Sequence, residues 1–393
     1  PRPISSAASD VYKRQLSLTI AVQRELKNKL TICLTTTGNI VFQTKRRKKP
    51  ILGIDISSTA VKVLQLSNTA NEYCVEHIGI TPLPDDCISE KIIIDVETVA
   101  ACIKSAVQQS RSKAKHCIMA IAGSNVVSKI ITMPKGLSDA ELEAQISVEA
   151  DQHIPHPLNE VNLDFNVLAT NAQHADKVDV LLAASKKENI TTRVTAAELA
   201  GLKPVIIDVE AYAVETIYPL LVHQIPGGAA NKTIGILDVG ATVTSLNIMR
   251  DGQMIYTREQ DFGGSQLTSE IMQEYDLSYA EAGYAKKHNQ LPADYEHRLL
   301  TPFKQTAAQQ CNRFLQFFYT TSQHTTVDHI ILAGGCALIP GLDQTIQNEL
   351  QIPVTGIQPF QEMSLNSTLN REILAREYSS LLVAFGLALR AFD

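Results

Sequence analysis

Three short stretches carry residues whose types and spacing could hold a phosphate and a divalent cation. "GIDISSTAVK" places Asp55, Ser57, Ser58 and Thr59 at the bend between two apolar runs, with Lys62 just beyond. "ILDVGATVT" repeats the pattern with Asp238, Gly240, Ala241 and Thr242. "ILAGGCALIPGL" runs an apolar strand into Gly334, Gly335 and Cys336. A tight turn offers consecutive backbone N–H groups, and small residues let a phosphate come close. Mg²⁺ keeps most of its waters and wants one or two carboxylates, a role open to Asp55 and Asp238. Each stretch alone also reads as ordinary structure: an Asp in a hairpin turn, or a Gly pair used for tight packing.

The elements around these turns decide how they are held. Strands are expected at 50–56, 60–67 and 72–81, a helix over 95–111 and a strand over 116–123. This is a mixed-sheet unit with a helix on one face. Over 125–187 a β-α-β-β module follows, its helix opened by Ser138 and Glu141 in capping-box spacing. A helix at 188–200 and "KPVIIDVE" at 203–210 return to the first sheet. After the Gly-rich linker 225–233 the strand–turn–strand pattern recurs, with the hairpin signal Asp251-Gly252. Helices are expected at 265–275, 278–288, 299–321 and 341–350, and a last one over "SSLLVAFGLALRAF". One motif occurring twice implies two similar lobes facing a common cleft.

Bulk properties exclude several classes. The chain has 393 residues, 45% apolar and 19% charged, with a net charge of -6. That balance gives no electrostatic basis for nucleic acid or an anionic membrane. The seven Cys are scattered without a C-x-x-C pair, which suits a reduced compartment. No apolar run approaches the roughly 18 residues of a membrane span. "GGAANKT" lacks the Gly before Lys232 and precedes a strand, so it is not a P-loop. His153 and His156 are separated by Pro155 and no further ligand completes a metal set. "PRPISSAASDVYKRQ" has no apolar period and reads as non-native; the native start is expected near Val41. "KRRKKP" reads as a solvated basic tail or, alternatively, a nucleic-acid patch.

The order of the three stretches resembles the ATPase superfamily of actin, heat-shock chaperones and sugar kinases. In that resemblance Asp55-Ile56-Ser57-Ser58 is phosphate-1, Asp238 to Thr242 phosphate-2 and Gly334-Gly335 the adenosine motif. Further stretches, among them "VEADQHIPHPLNEVNLDF", "GLKPVIIDVEAYAVE", "YTREQDFGGSQLTSEI" and "GLALRAFD", resemble the PilM family of type IV pilus assembly. The resemblance runs from about residue 45 to 393.

It implies an α/β, actin-like ATPase fold: ribonuclease H-like duplicated lobes with mixed five-stranded sheets and an FtsA-like insertion. The implied division is a non-native or disordered extension over 1–44; a first lobe over 45–124, 188–230 and 376–393; and an inserted subdomain over 125–187. The second lobe follows over 231–262 and 322–375, with a helical subdomain over 263–321. ATP and Mg²⁺ are the implied ligands, with Gly263, Gly264 and Lys286 beside the ribose, phosphates and adenosine. Gly283 stands where the family pattern has an acid, and Ser57 where the superfamily has Gly. An acid after the first lobe's last strand helps place the attacking water; Asp208 and Glu210 are the candidates, with a helix-capping role for Asp208 the alternative. Lys286 as a solvated helix residue also stays open. Nucleotide binding with weak turnover is implied.

The implied partner is the cytoplasmic N-terminal tail of a PilN-like inner-membrane protein with an I-N-L-L core. It would dock between the first lobe and the insertion, with Ile131, Met133 and Leu142 the candidate contacts. A PilO-like protein, the pilus motor or platform, and self-association are further implied links. The protein would be cytoplasmic and peripheral to the inner membrane. An FtsA-like division adaptor and a small-molecule kinase of the same superfamily are the alternatives. A kinase would need a substrate-binding acid and a pocket, and the sequence shows no such constellation.

Overall fold

The computed structural model describes residues 49–69, 72–171 and 174–393. The expected 1–44 extension, the start near Val41 and the basic run up to Lys48 lie outside the described residues.

The first sheet is built around β1 (Ile51–Ile56), whose residues from Leu52 on are all buried. β2 (Ala60–Thr69) and β3 (Glu72–Pro82) follow antiparallel, as the short turns require. The chain then forms a small hairpin, β4 (Ile88–Ser89) and β5 (Ile92–Ile93), before α1 (Val96–Ser110). Asp95 caps α1 by accepting Thr98 N at 3.0 Å. β6 (His116–Ile121) runs parallel to β1. Next comes the module: β7 (Val127–Pro134), α2 (Asp139–His153), β8 (Val161–Thr170) and β9 (Lys177–Lys186), paired in the order β7-β9-β8. The capping box expected at Ser138 and Glu141 is present. α3 (Lys187–Leu199), β10 (Lys203–Val209) and α4 (Glu210–Leu221) complete the half, with β10 parallel to β6.

The second sheet repeats the design with β11 (Thr233–Val239), β12 (Val243–Arg250), β13 (Gln253–Asp261), β14 (His329–Ala333) and β15 (Val354–Gly356). Its order, β13-β12-β11-β14-β15, matches β3-β2-β1-β6-β10 strand for strand. α5 (Gly264–Tyr275), α6 (Tyr279–Lys287), α7 (Thr301–Thr321) and α8 (Leu342–Leu350) come from this half. β16 (Ser364–Leu365), in a segment expected with the second lobe, pairs with β3 and makes the first sheet six-stranded. α9 (Arg371–Glu377) and α10 (Leu382–Leu389) end the described chain. The helix expected over 379–392 is broken, because Ser379 O accepts Gly334 N at 2.9 Å and the chain bends through a 3₁₀ turn there. α7 likewise starts later than expected, behind a π turn at Glu296–Leu300.

These elements stack in five layers. Leu52, Ile54 and Val63 pack outward on Val99 and Ile103 of α1 and Ala196 and Ala197 of α3. α4 and α10 fill the space between the sheets, where Val214, Ile217 and Phe385 meet Leu64 on one side and Ile234, Ile236 and Ile331 on the other. Leu237 and Val239 face the opposite way, onto the helices of the second half. α10 is almost wholly apolar because strands lie on one flank and α4 on another. The approach is close: a Cβ on Gly53 would lie 2.4 Å from Ala384 O, and one on Gly386 1.9 Å from Ala213 O. No described helix is long and apolar enough to cross a membrane.

Strand parity now places the two acids. Side chains alternate along a strand, so Asp55 shares the face of Gly53, and Asp238 that of Ile234 and Ile236. Both carboxylates therefore look into the layer between the sheets.

Candidate functional site

Asp55 is 6% exposed and stands directly across the hairpin from Lys62, whose Nζ lies 3.0 Å from Oδ2. Burial disfavours the Lys62 ammonium, but the Asp55 carboxylate outweighs it and holds the pKa above the usual lysine value. Ser57 closes its own turn: its N–H and hydroxyl both donate to Ala60 O, at 3.0 and 2.9 Å. Its expected role as a phosphate donor is thus weakened, since both donors are engaged. Thr59 is exposed at the tip. Thr242 Oγ1 donates to Ser58 Oγ at 2.9 Å, so the two Asp-bearing turns, far apart in sequence, touch.

Asp238 sits half-buried near the end of β11, and its carboxylate accepts no hydrogen bond from the described residues. Burial raises its pKa to about 6; Lys62 and Lys91 oppose the rise, while Asp55 and Glu210 add to it. Gly334, at φ 89°, is pressed against it: a Cβ there would lie 2.3 Å from Val239 O and 2.4 Å from Asp238 Oδ1. The first N–H groups of α5 donate to the Asp238 turn, Gly264 to Gly240 O (3.0 Å) and Ser265 to Ala241 O (2.8 Å). Gly263 permits this approach, because its Cβ would meet Ala241 O at 2.4 Å. Cys336 Sγ donates to Gly240 O at 3.3 Å, and burial pushes the thiol up to about 11. Lys286 is no solvated lysine: it donates to Gly264 O at 3.0 Å and to Thr268 Oγ1, and burial holds its pKa below the usual value. Around Gly335 and Gly283 an added Cβ would meet nothing within 4 Å, so open space adjoins the Gly turn.

The expected nucleotide residues thus converge, and their chemistry fits the group. An unbonded carboxylate faces a second one, glycines open the backbone, and space lies beside Gly335. Among the described residues no three His, Cys, Asp or Glu side chains gather as a metal-ligand set. Gly334→Ala is expected to cost about 2–4 kcal/mol through the left-handed backbone and the contact with Val239 O. Chemical unfolding checks this; a loss under about 0.5 kcal/mol would contradict the packing.

Of the two water-placing candidates, the structure separates Asp208 from the cleft chemistry. Its Oδ2 accepts Arg390 Nε at 2.7 Å and its Oδ1 accepts Val209 N at 2.8 Å, so both oxygens are engaged. Nor does it cap α4, whose cap residue is Val209 without a side-chain bond. Glu210 remains. Lys91 Nζ pairs with Glu210 Oε2 at 3.0 Å, and both side chains are less than a fifth exposed, at 17% and 14%. Burial raises the Glu210 pKa; Lys91 counters this, and Asp55 and Glu259 reinforce it.

Sequence reasoning missed Lys91, Arg193 and Glu259. Glu259, on β13, accepts Gly123 N at 3.0 Å and Ser124 N at 3.3 Å at the turn leading into the module. Arg193 is 2% exposed and belongs to the buried face of α3 with Asn189, Ala196 and Ala197. An arginine on that stripe was the readable signal. Lys91 gave none, for its turn lacks Gly and Asn.

The expected groove residues Ile131, Met133 and Leu142 are core. They are 7%, 2% and 8% exposed and pack between the module's sheet and α2. The opposite sheet face carries Ile130, 57% exposed and paired across strands with Leu181. Tyr212 of α4 reaches this face, donating to Ser128 Oγ at 3.2 Å.

A family model described as type IV pilus assembly protein PilM matches residues 53–392. A solved structure described as the PilM-PilN type IV pilus biogenesis complex is similar to this chain. It is 25% identical, covers 88% of this chain and 99% of that chain, and gives a TM-score of 0.74. More distant is the ethanolamine utilization protein EutJ from Carboxydothermus hydrogenoformans: 12% identical, 86% and 88% covered, TM-score 0.48. MreB 5 of Spiroplasma citri bound to AMPPNP is 13% identical, with 86% and 94% covered and a TM-score of 0.46. With its duplicated sheets and this match, the architecture is the actin-like ATPase fold, and the chain belongs to the PilM family of type IV pilus assembly proteins.

Proposed function

We propose that the protein binds ATP with Mg²⁺ between its two lobes and acts in type IV pilus assembly as an adaptor for the N-terminal tail of a PilN-like inner-membrane protein. The observation that carries the nucleotide half is the meeting of the two Asp-bearing turns, Thr242 on Ser58, beside an Asp238 carboxylate that no described residue bonds. Mg²⁺ would be held through water by Asp55 and Asp238 and would neutralise phosphate charge. Gly240, Ala241, Thr242, Ser58 and Thr59 would line the phosphates. Gly263, Gly264, Lys286, Gly334 and Gly335 would take the nucleoside. Glu210 would orient the attacking water. The engaged donors of Ser57 and the ion-paired Glu210 favour binding over fast turnover.

The partner half rests on family membership and on the neighbour that is a PilM-PilN complex. In this reading the protein is cytoplasmic and is held at the inner membrane by that partner, linking it to the pilus motor. The outward sheet face of the module, with Ile130, Leu181 and Ser128, and Tyr212 of α4 opposite form the docking groove for an extended apolar tail. Fluorescence anisotropy with a PilN-tail peptide tests this. Ile130→Asp is expected to weaken binding about tenfold or more, with the melting temperature unchanged. Full affinity in that variant would move the groove elsewhere. Wild-type affinity that is equal with and without ATP would leave no switch between cleft and groove.

A further inference from the structure

The β4–β5 hairpin reverses through two residues only, Glu90 and Lys91, at φ 48° and φ 65°. Both central positions of such a turn need left-handed backbone, which is why Asn-Gly is the favoured pair. Here neither residue is Gly or Asn, so the turn is strained. The structure around it holds that strain in place. Arg193 donates Nη2 to Lys91 O at 2.9 Å, Nε to Ala120 O at 2.9 Å and Nη1 to Asn189 O at 3.1 Å. All three acceptors are backbone carbonyls, and no ion pair to Arg193 occurs among the described residues. Strained residues over-determined by their surroundings cluster at ligand clamps.

What the device delivers is the Lys91 ammonium. It pairs with Glu210 Oε2 at 3.0 Å and lies in the field of Glu259, Asp55 and Asp238. Among the described residues, Asp55, Asp238, Glu210 and Glu259 thus stand against the Lys62 and Lys91 ammonium groups, while Lys286 lies apart on Gly264 O. Lys62 is bonded to Asp55 on the hairpin that carries both. Lys91 comes from a separate element and approaches from the Glu210 side. A triphosphate entering an acid-rich cleft needs a cation beyond Mg²⁺ at its far end.

We propose that Lys91 is the residue that recognises the terminal phosphate of a bound nucleoside triphosphate, and so distinguishes triphosphate from diphosphate. This rests on the nucleotide reading above. In the same contact Lys91 holds Glu210 beside that phosphate, so Arg193 acts as a positioning residue through the Lys91 backbone.

Calorimetry with Mg·ATP and Mg·ADP tests it on wild-type protein, Lys91→Asn and Lys91→Arg. Asn keeps the left-handed turn accessible while removing the charge. Wild type is expected to bind Mg·ATP about tenfold or more tightly than Mg·ADP, as a charge-assisted contact would give. Lys91→Asn is expected to lose that preference while its Mg·ADP affinity stays within about twofold, and Lys91→Arg to retain part of the preference. Equal affinity of wild type for the two nucleotides would overturn the proposal without any variant, even if Lys91→Asn failed to fold. So would a folded Lys91→Asn that keeps the preference or loses both ligands equally. Wild type binding neither nucleotide would instead overturn the nucleotide reading, and Lys91 with it.

Discussion

Asp238→Asn is expected to abolish Mg·ATP binding, by about 100-fold or more, and at the same time to raise the melting temperature at neutral pH. The first effect follows from removing the one cleft carboxylate that no described residue engages, and with it the charge that would hold the cation through its waters. The second follows from linkage. In the unfolded chain an Asp titrates at 3.8, and in the fold Asp238 titrates at about 6. The native state therefore binds this proton more tightly. Its contribution to stability is fully present below 3.8 and is lost as pH rises through about 6. At pH 7.5 wild type carries the ionised group at a cost of about 1–3 kcal/mol, reduced by its partial solvent contact. Asn removes that cost, so melting should rise by a few degrees at pH 7.5, with the gap closing near pH 4. Calorimetry showing unchanged Mg·ATP binding would sink the assignment of Asp238. Wild-type binding should also weaken as pH falls through about 6, the value at which Asp238 takes up its proton.

Arg193→Met should destabilise the fold by about 2–4 kcal/mol, although it removes a buried charge with no carboxylate partner among the described residues. Such a replacement can be neutral where the charge serves only itself. Here Ala120 O, in the buried core, and Lys91 O would each lose a donor. Lys is expected to rescue little, since the guanidinium's planar fork reaches three carbonyls on separate elements. Urea unfolding of wild type and both variants measures this. A Met variant as stable as wild type would mean that the hairpin carrying Lys91 is held by other contacts.

Much of the architecture was legible because it repeats. Asp55 and Asp238 end near-identical apolar strands, and the strand orders of the two sheets match. What failed did so at points of parity. Ile130 and Ile131 are adjacent on β7 and face opposite ways. The alternation is plain in the sequence, but which face α2 would cover depends on tertiary packing, so core residues were read as groove. Asp208 and Glu210 are separated by another cause, the change from β10 to α4 between them, and only the position of Arg390 shows that Asp208 is held away from the cleft. The β4–β5 turn was illegible for another reason. Glu-Lys is a poor pair for that geometry, and it is stabilised by an arginine about a hundred positions away.

The close seating of α10 bears on how the protein is made. Residues 382–389 press onto a strand at 51–56, so the covering layer of the first sheet leaves the ribosome more than 300 residues after the strand it covers. At roughly 5–20 residues per second that interval is on the order of 15–60 seconds. Throughout it only α4 can cover the inner face of the first sheet. Each sheet takes its outer helices from its own stretch of chain and can form that outer core early. The two halves match strand for strand in the finished protein, yet the half synthesised first waits longest for the helix that both share.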